Sequence, residues 1–249
     1  MMSVDSRVSG GSSPSLTSVV RQNRWREGAA NRASRITKHI YMPKRRAKKS
    51  DHLVAPDKEN DVCLSVTAQL NHKLMPLDRG ERYEDPLQDE LEKHGFGKTD
   101  GGGTMTEKSG EIEFIDVEMI LTQTHKSIPF IIERLESYGA PKGSKLIFGE
   151  GRKKREIPFG QVEGFGVYLD GGNLPDEVYK TSDVNLVIKE FNKRLKGHGS
   201  VQSYWQGSKE TALYIYGDSV ETMKAKITGF MATYPLCRGA RVVTLAPKL

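Results

Sequence analysis

Four residues of the 249-residue chain have the types and spacing to do acid–base or metal chemistry: His72, Asp78, Glu81 and Asp85. A hydrolytic site needs a group that takes up a proton beside one that gives it, or carboxylates and imidazoles converging on a cation. Arg79 and Arg82 are interleaved with these four and are placed to neutralise them. A single histidine among scattered carboxylates is also no metal signature. An enzyme of hydrolase type using the acidic loop 71–85 is therefore an alternative, and a binding loop is the main reading, with His72, Asp78, Arg79, Glu81 and Arg82 as its contacts. A similar long polar loop recurs at Gly171–Ser182 and offers Asn173, Asp176 and Glu177. Long loops on small domains often carry function. The plainer expectation is that the proline, tyrosine and aspartate common to both loops are structural. Tyrosine would then pack over the helix start, and Asp85 or Asp183 would cap it.

A second constellation is aromatic. Tyr168, Tyr214 and Tyr216 fall out of phase with the apolar Val167, Leu169, Leu213 and Ile215, and Tyr204 or Trp205 adds a ring on the neighbouring strand. Aromatics on the first and third strands of an open βαββαβ sheet are where RNA-recognition domains stack bases. With the basic run Arg152-Lys153-Lys154-Arg155, this supports single-stranded nucleic-acid binding as an alternative function. The third strand lacks the basic–glycine–aromatic run of such domains. The competing expectation buries these tyrosines against the other half of the chain, hydroxyls at the rim.

The remaining motifs carry less. Gly101-Gly102-Gly103-Thr104 could offer backbone N–H groups to an anion, but no lysine and no helix follows as in a P-loop, so a flexible hairpin connection is expected. Cys63 and Cys237 have no metal-ligand spacing, no serine sits in a nucleophile elbow, and His94 and His198 lie near helix ends. No metal or cofactor is expected.

The elements that must position these groups follow from a repeat. Leu70-Asn71-His72-Lys73-Leu74-Met75-Pro76 returns as Leu169-Asp170-Gly171-Gly172-Asn173-Leu174-Pro175, and Gly143-Ser144-Lys145-Leu146-Ile147 returns as Gly239-Ala240-Arg241-Val242-Val243. The period is that of a domain, too long for a solenoid. Each half reads strand, helix, strand, strand, helix, strand. Helical stripes are Leu87 and Leu91; Ile128, Ile131, Ile132 and Leu135; Val184, Val187, Ile188 and Phe191; and Val220, Met223 and Ile227. A phase jump in Glu111–Leu121 predicts a bulge near Phe114–Ile115. Asp218 and Glu221 are spaced like a capping box. The expected fold is α+β, a tandem duplication of a βαββαβ ferredoxin-like unit. Its parts are a disordered basic tail over 1–56, repeat 1 over 57–148, a basic linker over 149–161 and repeat 2 over 162–249.

Charge is spread unevenly: residues 1–60 carry +8, 61–149 carry −6 and 150–249 carry +4. The tail has no sustained apolar period and cannot offset its chain entropy by burial. Its Lys44-Arg45-Arg46-Ala47-Lys48-Lys49 cluster could meet nucleic acid or an anionic membrane. No apolar run is long enough to span a bilayer, and sparse cysteine suits a reducing, cytoplasmic compartment. A non-catalytic binding or regulatory protein is thus expected, its two repeats pairing around a cleft formed partly by the two loops. The partner would be a protein or a small molecule, nucleic acid is possible, and the sequence leaves the oligomeric state open.

Overall fold

Alternation of Val66, Ala68 and Leu70 with Ser65, Thr67 and Gln69 makes strand β1 (Leu64–Leu70) apolar on one face only. That face must be covered. In the computed structural model, which describes residues 63–122, 124–149 and 154–246, two helices cover it. The expected tail over 1–56, with Arg152 and Lys153 of the basic run, lies outside the described residues.

The protein is a mixed α+β structure with two antiparallel sheets and few helices. The first sheet adds β2 (Gly97–Thr106), β3 (Ile112–Leu121), β4 (Ser144–Phe148) and β5 (Arg155–Phe159) to β1, in the order β2-β3-β1-β4-β5. Helices α1 (Asp85–His94) and α2 (Thr124–Ser137) bring Leu87, Leu91, Ile131 and Leu135 onto Val66, Ala68, Val117, Met119 and Leu146. The second sheet is β6 (Glu163–Asp170), β7 (Gly199–Gln206), β8 (Glu210–Gly217) and β9 (Arg241–Ala246), ordered β7-β8-β6-β9. Helices α3 (Asp176–Thr181), α4 (Val184–Arg194) and α5 (Val220–Thr233) belong to this half. Val187, Phe191, Met223 and Ile227 of α4 and α5 bury against Phe165, Val167, Leu213 and Ile215.

Several local expectations change. The stretch expected as a loop over Asn71–Glu84 is extended only to Met75. From Pro76 it is helical, as Pro76–Arg79 and then a π turn, Gly80–Glu84, that runs straight into α1. Proline at the first position favours that start. Pro86 has no N–H to give the Arg82 carbonyl, and the helix accommodates this by widening just before it, where the Asp85 N–H donates to Gly80 O. Asp85 is therefore inside a continuous helix and caps nothing. Asp183 does cap: its carboxylate accepts from the Asn185 N–H at 2.8 Å. The cap of α5 is Ser219, which accepts from the Thr222 N–H, while Asp218 bonds His198 Nδ1 at 2.8 Å.

Gly101–Thr104 is part of β2, an edge strand paired to β3, rather than a hairpin connection. The phase jump in β3 is real: Phe114 opposes Met105 and Ile112 opposes Thr106, so Glu113 is left between them. The expected basic linker contains β5, whose alternation is masked by charge. Arg155 and Glu156 face out while Phe159 is buried. The chain turns from β5 to β6 through Gly160, whose φ of 108° and position against the Pro141 carbonyl leave no room for a side chain.

The two aspartates give a discriminating test. Asp183→Ala should cost about 1 kcal/mol in urea unfolding, the usual worth of a cap. Asp85→Ala, at an exposed mid-helix position, should stay within about 0.5 kcal/mol of wild type.

Candidate functional site

A sheet with apolar side chains on both faces must be covered twice. β6 and β8 are such strands: buried positions run without alternation from Glu163 to Leu169 and from Thr211 to Tyr216. One face carries the core beneath α4 and α5. The other carries Tyr168, Tyr214 and Tyr216, with Ala212, Trp205, Val243 and Leu245 around them. Gly164 and Gly166 lie directly under the rings of Tyr216 and Tyr168, where a β-carbon would collide.

The first half covers this face, and it does so with one end rather than with its own sheet face. The covering groups come from the C-terminal end of β1 (Asn71, His72, Lys73), the start of β3 (Glu111, Ile112), the start of β4 (Lys142) and the π turn (Arg82, Tyr83). The Lys73 N–H donates to Tyr216 Oη at 3.0 Å, and the Lys73 carbonyl accepts from Ser203 Oγ. The Asn71 amide donates to Leu245 O at 3.0 Å, the Arg82 guanidinium donates to Gln202 Oε1, and Lys142 Nζ reaches Glu163 Oε1 at 3.0 Å.

Two polar clusters lie at this joint. In one, a single oxygen of Glu111 accepts from Tyr168 Oη at 2.6 Å, Tyr214 Oη at 2.8 Å and Lys73 Nζ at 2.9 Å. Lys73 also donates to Ile112 O at 2.5 Å and lies over the Tyr214 ring. Burial alone would raise the Glu111 carboxyl, but the bonds from Tyr168, Lys73 and Tyr214 and the Lys73 charge outweigh it. The group therefore stays below its ordinary range. Burial and the adjacent carboxylate push Tyr168 and Tyr214 upward, so both remain protonated donors.

In the other cluster His72, fully buried, places Nδ1 2.8 Å from Tyr83 Oη and its ring 4.2 Å from that of Tyr216. Burial and the Arg82 charge drive its pKa well below the ordinary imidazole value. Nε2 is buried without a partner at hydrogen-bond geometry, although the Gln202 side chain lies near enough to oppose that shift slightly.

The sequence-nominated residues are dispersed by this arrangement. His72 is a buried joint residue, not a loop ligand. Asp78, Glu81 and Asp85 are exposed on the helical segment. Arg79 pairs with Glu84 at 2.5 Å and bonds Thr104 at 3.0 Å; Arg82 bonds the Tyr138 carbonyl besides Gln202. Asn173 turns back on Asp170, and Asp176 and Glu177 are exposed on α3. Among the described residues no hydrogen bond or ion pair joins these three to the first loop, and no group of acidic, histidine or cysteine side chains could hold a metal ion.

Tyr168, Tyr214 and Tyr216 are 6, 0 and 0 % exposed, so no ring face is open for a base to stack on. Trp205 is half-buried at the rim of the same joint, and Lys154 and Arg155 are exposed near β5, with Lys154 paired to Glu156. Lys73, Glu111, Gln202 and Ser203 carry the joint and were not foreseen. In the sequence Glu111, Glu113, Asp116 and Glu118 punctuate one strand, a row of like charges that reads as a solvated sheet face. Glu113 and Glu118 are exposed in that way, whereas Glu111 is drawn into the joint. A hollow of about 250 Å³ lies at the end of α5, lined by Met231, Tyr234, Cys237 and Arg238. Burial pushes the Cys237 thiol there up to about 11, which leaves it unreactive.

No protein-family model matches the chain, and no curated protein matches it either.

The Glu111 cluster sets an acid limit on stability. Its carboxyl is depressed in the folded state, so its contribution is complete above the ordinary value of 4.5 and is lost as pH falls through the folded value. Glu111→Gln should cost about 2–3 kcal/mol at pH 7, the worth of hydrogen bonds to a charged group. It should also flatten the acid limb of a thermal-unfolding profile below pH 4.5.

Proposed function

We propose that this is a non-catalytic binding or regulatory protein, built from two copies of a ferredoxin-like unit locked in one mutual orientation. The duplication is supported by the recurring sequence blocks and by the common strand order of the two sheets, second–third–first–fourth in each half. The functional reading rests on one observation: the residues with chemical potential are spent on the joint or dispersed over the surface. His72, Lys73, Glu111, Tyr168, Tyr214 and Tyr216 bind one another, and Asp78, Glu81 and Asp85 point to solvent without a converging base. A rigid scaffold with open strand edges recognises better than it reacts.

A protein partner suits the surface better than a small molecule. Small-molecule sites are mostly apolar and about 300–1,000 Å³ in volume, whereas the hollow at the end of α5 is smaller and short of apolar lining. The open face of the first sheet offers Thr67, Gln69, Glu118 and Ile120 across paired strands instead.

The test combines capture and turnover with the full chain. Affinity capture from the native cells should yield a partner with wild type and lose it with Gln69→Arg/Glu118→Arg. A panel of ester, phosphoester and glycoside substrates, with and without divalent cations, should show no turnover. Turnover that disappears in Asp78→Asn/Glu81→Gln would make the protein an enzyme. Affinity for labelled single-stranded RNA that falls in Tyr214→Ala would move the function to nucleic-acid binding.

A further inference from the structure

We propose that the joint between the two halves is acid-labile and that His72 is its proton sensor. The argument begins with where this imidazole sits. It is the second residue after β1, on the segment that the second half grips from both sides of its backbone: the next N–H donates to Tyr216 and the next carbonyl accepts from Ser203. Its ring is enclosed by Tyr83 from the π turn and Tyr216 from β8. Any proton added to it enters the joint.

The surroundings suit a neutral ring and oppose a charged one. Tyr83 is kept protonated by its own burial and offers a hydroxyl, which cannot balance a charge. Tyr216 presents a ring face and is likewise held protonated, its hydroxyl already accepting from Lys73. Gln202 of β7 is neutral. The charged groups nearby are Arg82, which repels an imidazolium, and Lys73, whose ammonium is turned away onto Glu111. The Glu111 carboxylate is spent on Lys73, Tyr168 and Tyr214. Among the described residues no carboxylate lies at ion-pair distance from His72. The imidazolium therefore has a buried Nε2–H with only the neutral Gln202 side chain near it, short of hydrogen-bond geometry, and a like charge beside it, a combination that proteins avoid.

Opening the joint relieves both. With water admitted, the ring recovers its ordinary value of 6.5, so below that pH the open form takes up a proton that the closed form refuses. The sign follows: acid favours opening, by about tenfold in the open-to-closed ratio per pH unit, until the closed form's own value is reached. The opened state exposes the Tyr168–Tyr214–Tyr216 face. The histidines that do lie at ion-pair distance from a carboxylate, His198 beside Asp218 and His94 beside Glu90, sit outside the joint. Glu111 stays ionised through this range, because its carboxyl lies below the ordinary 4.5.

Hydrogen exchange of the full chain measures the equilibrium even when the open form is rare. After correction for the intrinsic pH dependence of exchange, protection of the Lys73 amide should fall about tenfold per unit between pH 6.5 and 5, while amides in the α1–α2 core hold. His72→Asn keeps a group at the Nδ1 position for Tyr83 and cannot be protonated. Its Lys73 protection should be flat over the same range, and an undiminished slope overturns the proposal. Should that variant not fold, the wild-type ring decides by its nitrogen chemical shifts. Neutral at pH 5.5 in the closed form supports the mechanism. An ordinary titration near 6.5, with Lys73 still protected, refutes it.

Discussion

The structure depends on a half-buried carboxylate, that of Glu111. Glu111 is the point at which the two halves recognise each other, because one of its oxygens is the common acceptor for two tyrosines of the second sheet and a lysine of the first half. A buried carboxylate without such donors would be expelled or protonated. With them, it fixes the rotation of the two sheets about each other more tightly than apolar contact could, since hydrogen bonds are directional and ring packing is permissive. The glycines under Tyr168 and Tyr216, the backbone grip on Lys73 and the bulge that presents Glu111 and Ile112 at the head of β3 all serve that geometry.

Much of the fold was legible because periodicity is a local property. The stripes of α2, α4 and α5 and the alternation of β1 and β3 can each be read within a dozen residues, β8 reads as tyrosines interleaved with aliphatics, and the bulge in β3 announced itself as a broken alternation. What was missed falls into two kinds. β2 and β5 are edge strands, and edge strands need only one partner and can be glycine-rich or charged, so their sequences resemble loops. The helical turn at Pro76–Glu84 was hidden by its polarity, for a short solvent-facing segment has no apolar stripe to betray it.

The candidate site was legible only as a list of residue types. Tyr168, Tyr214 and Tyr216 were visible as a face, and burial against the other half was one of two expectations for them. In the sequence His72 opens a polar loop and Glu111 opens an acid-punctuated strand, two segments with nothing local in common. Their partners in the second half are separated from them by 57 to 144 residues, and no local pattern encodes a pairing at that distance. Lys73 lies just past the end of β1 with no periodic context, and Gln202 and Ser203 lie in β7 where its register against β8 shifts.

The asymmetry of the joint has a consequence for assembly. A contact between the end of one unit and the face of the next is heterologous, and a heterologous contact repeated along like units builds an open filament. Here the second half has a free end at Asp170, Asp176 and Glu177, and the first half has a free face at Gln69, Asp116 and Glu118. The end also carries Lys209 and Arg241 and the face also carries Lys145 beside Gln69, but among the described residues that face has no phenol to donate to a carboxylate. The surfaces left over when the joint forms therefore lack the donor–acceptor pairing that makes it. The phenol–carboxylate pairing that makes the joint is thus used once among the described residues, and the surfaces it leaves uncovered hold no second copy of it.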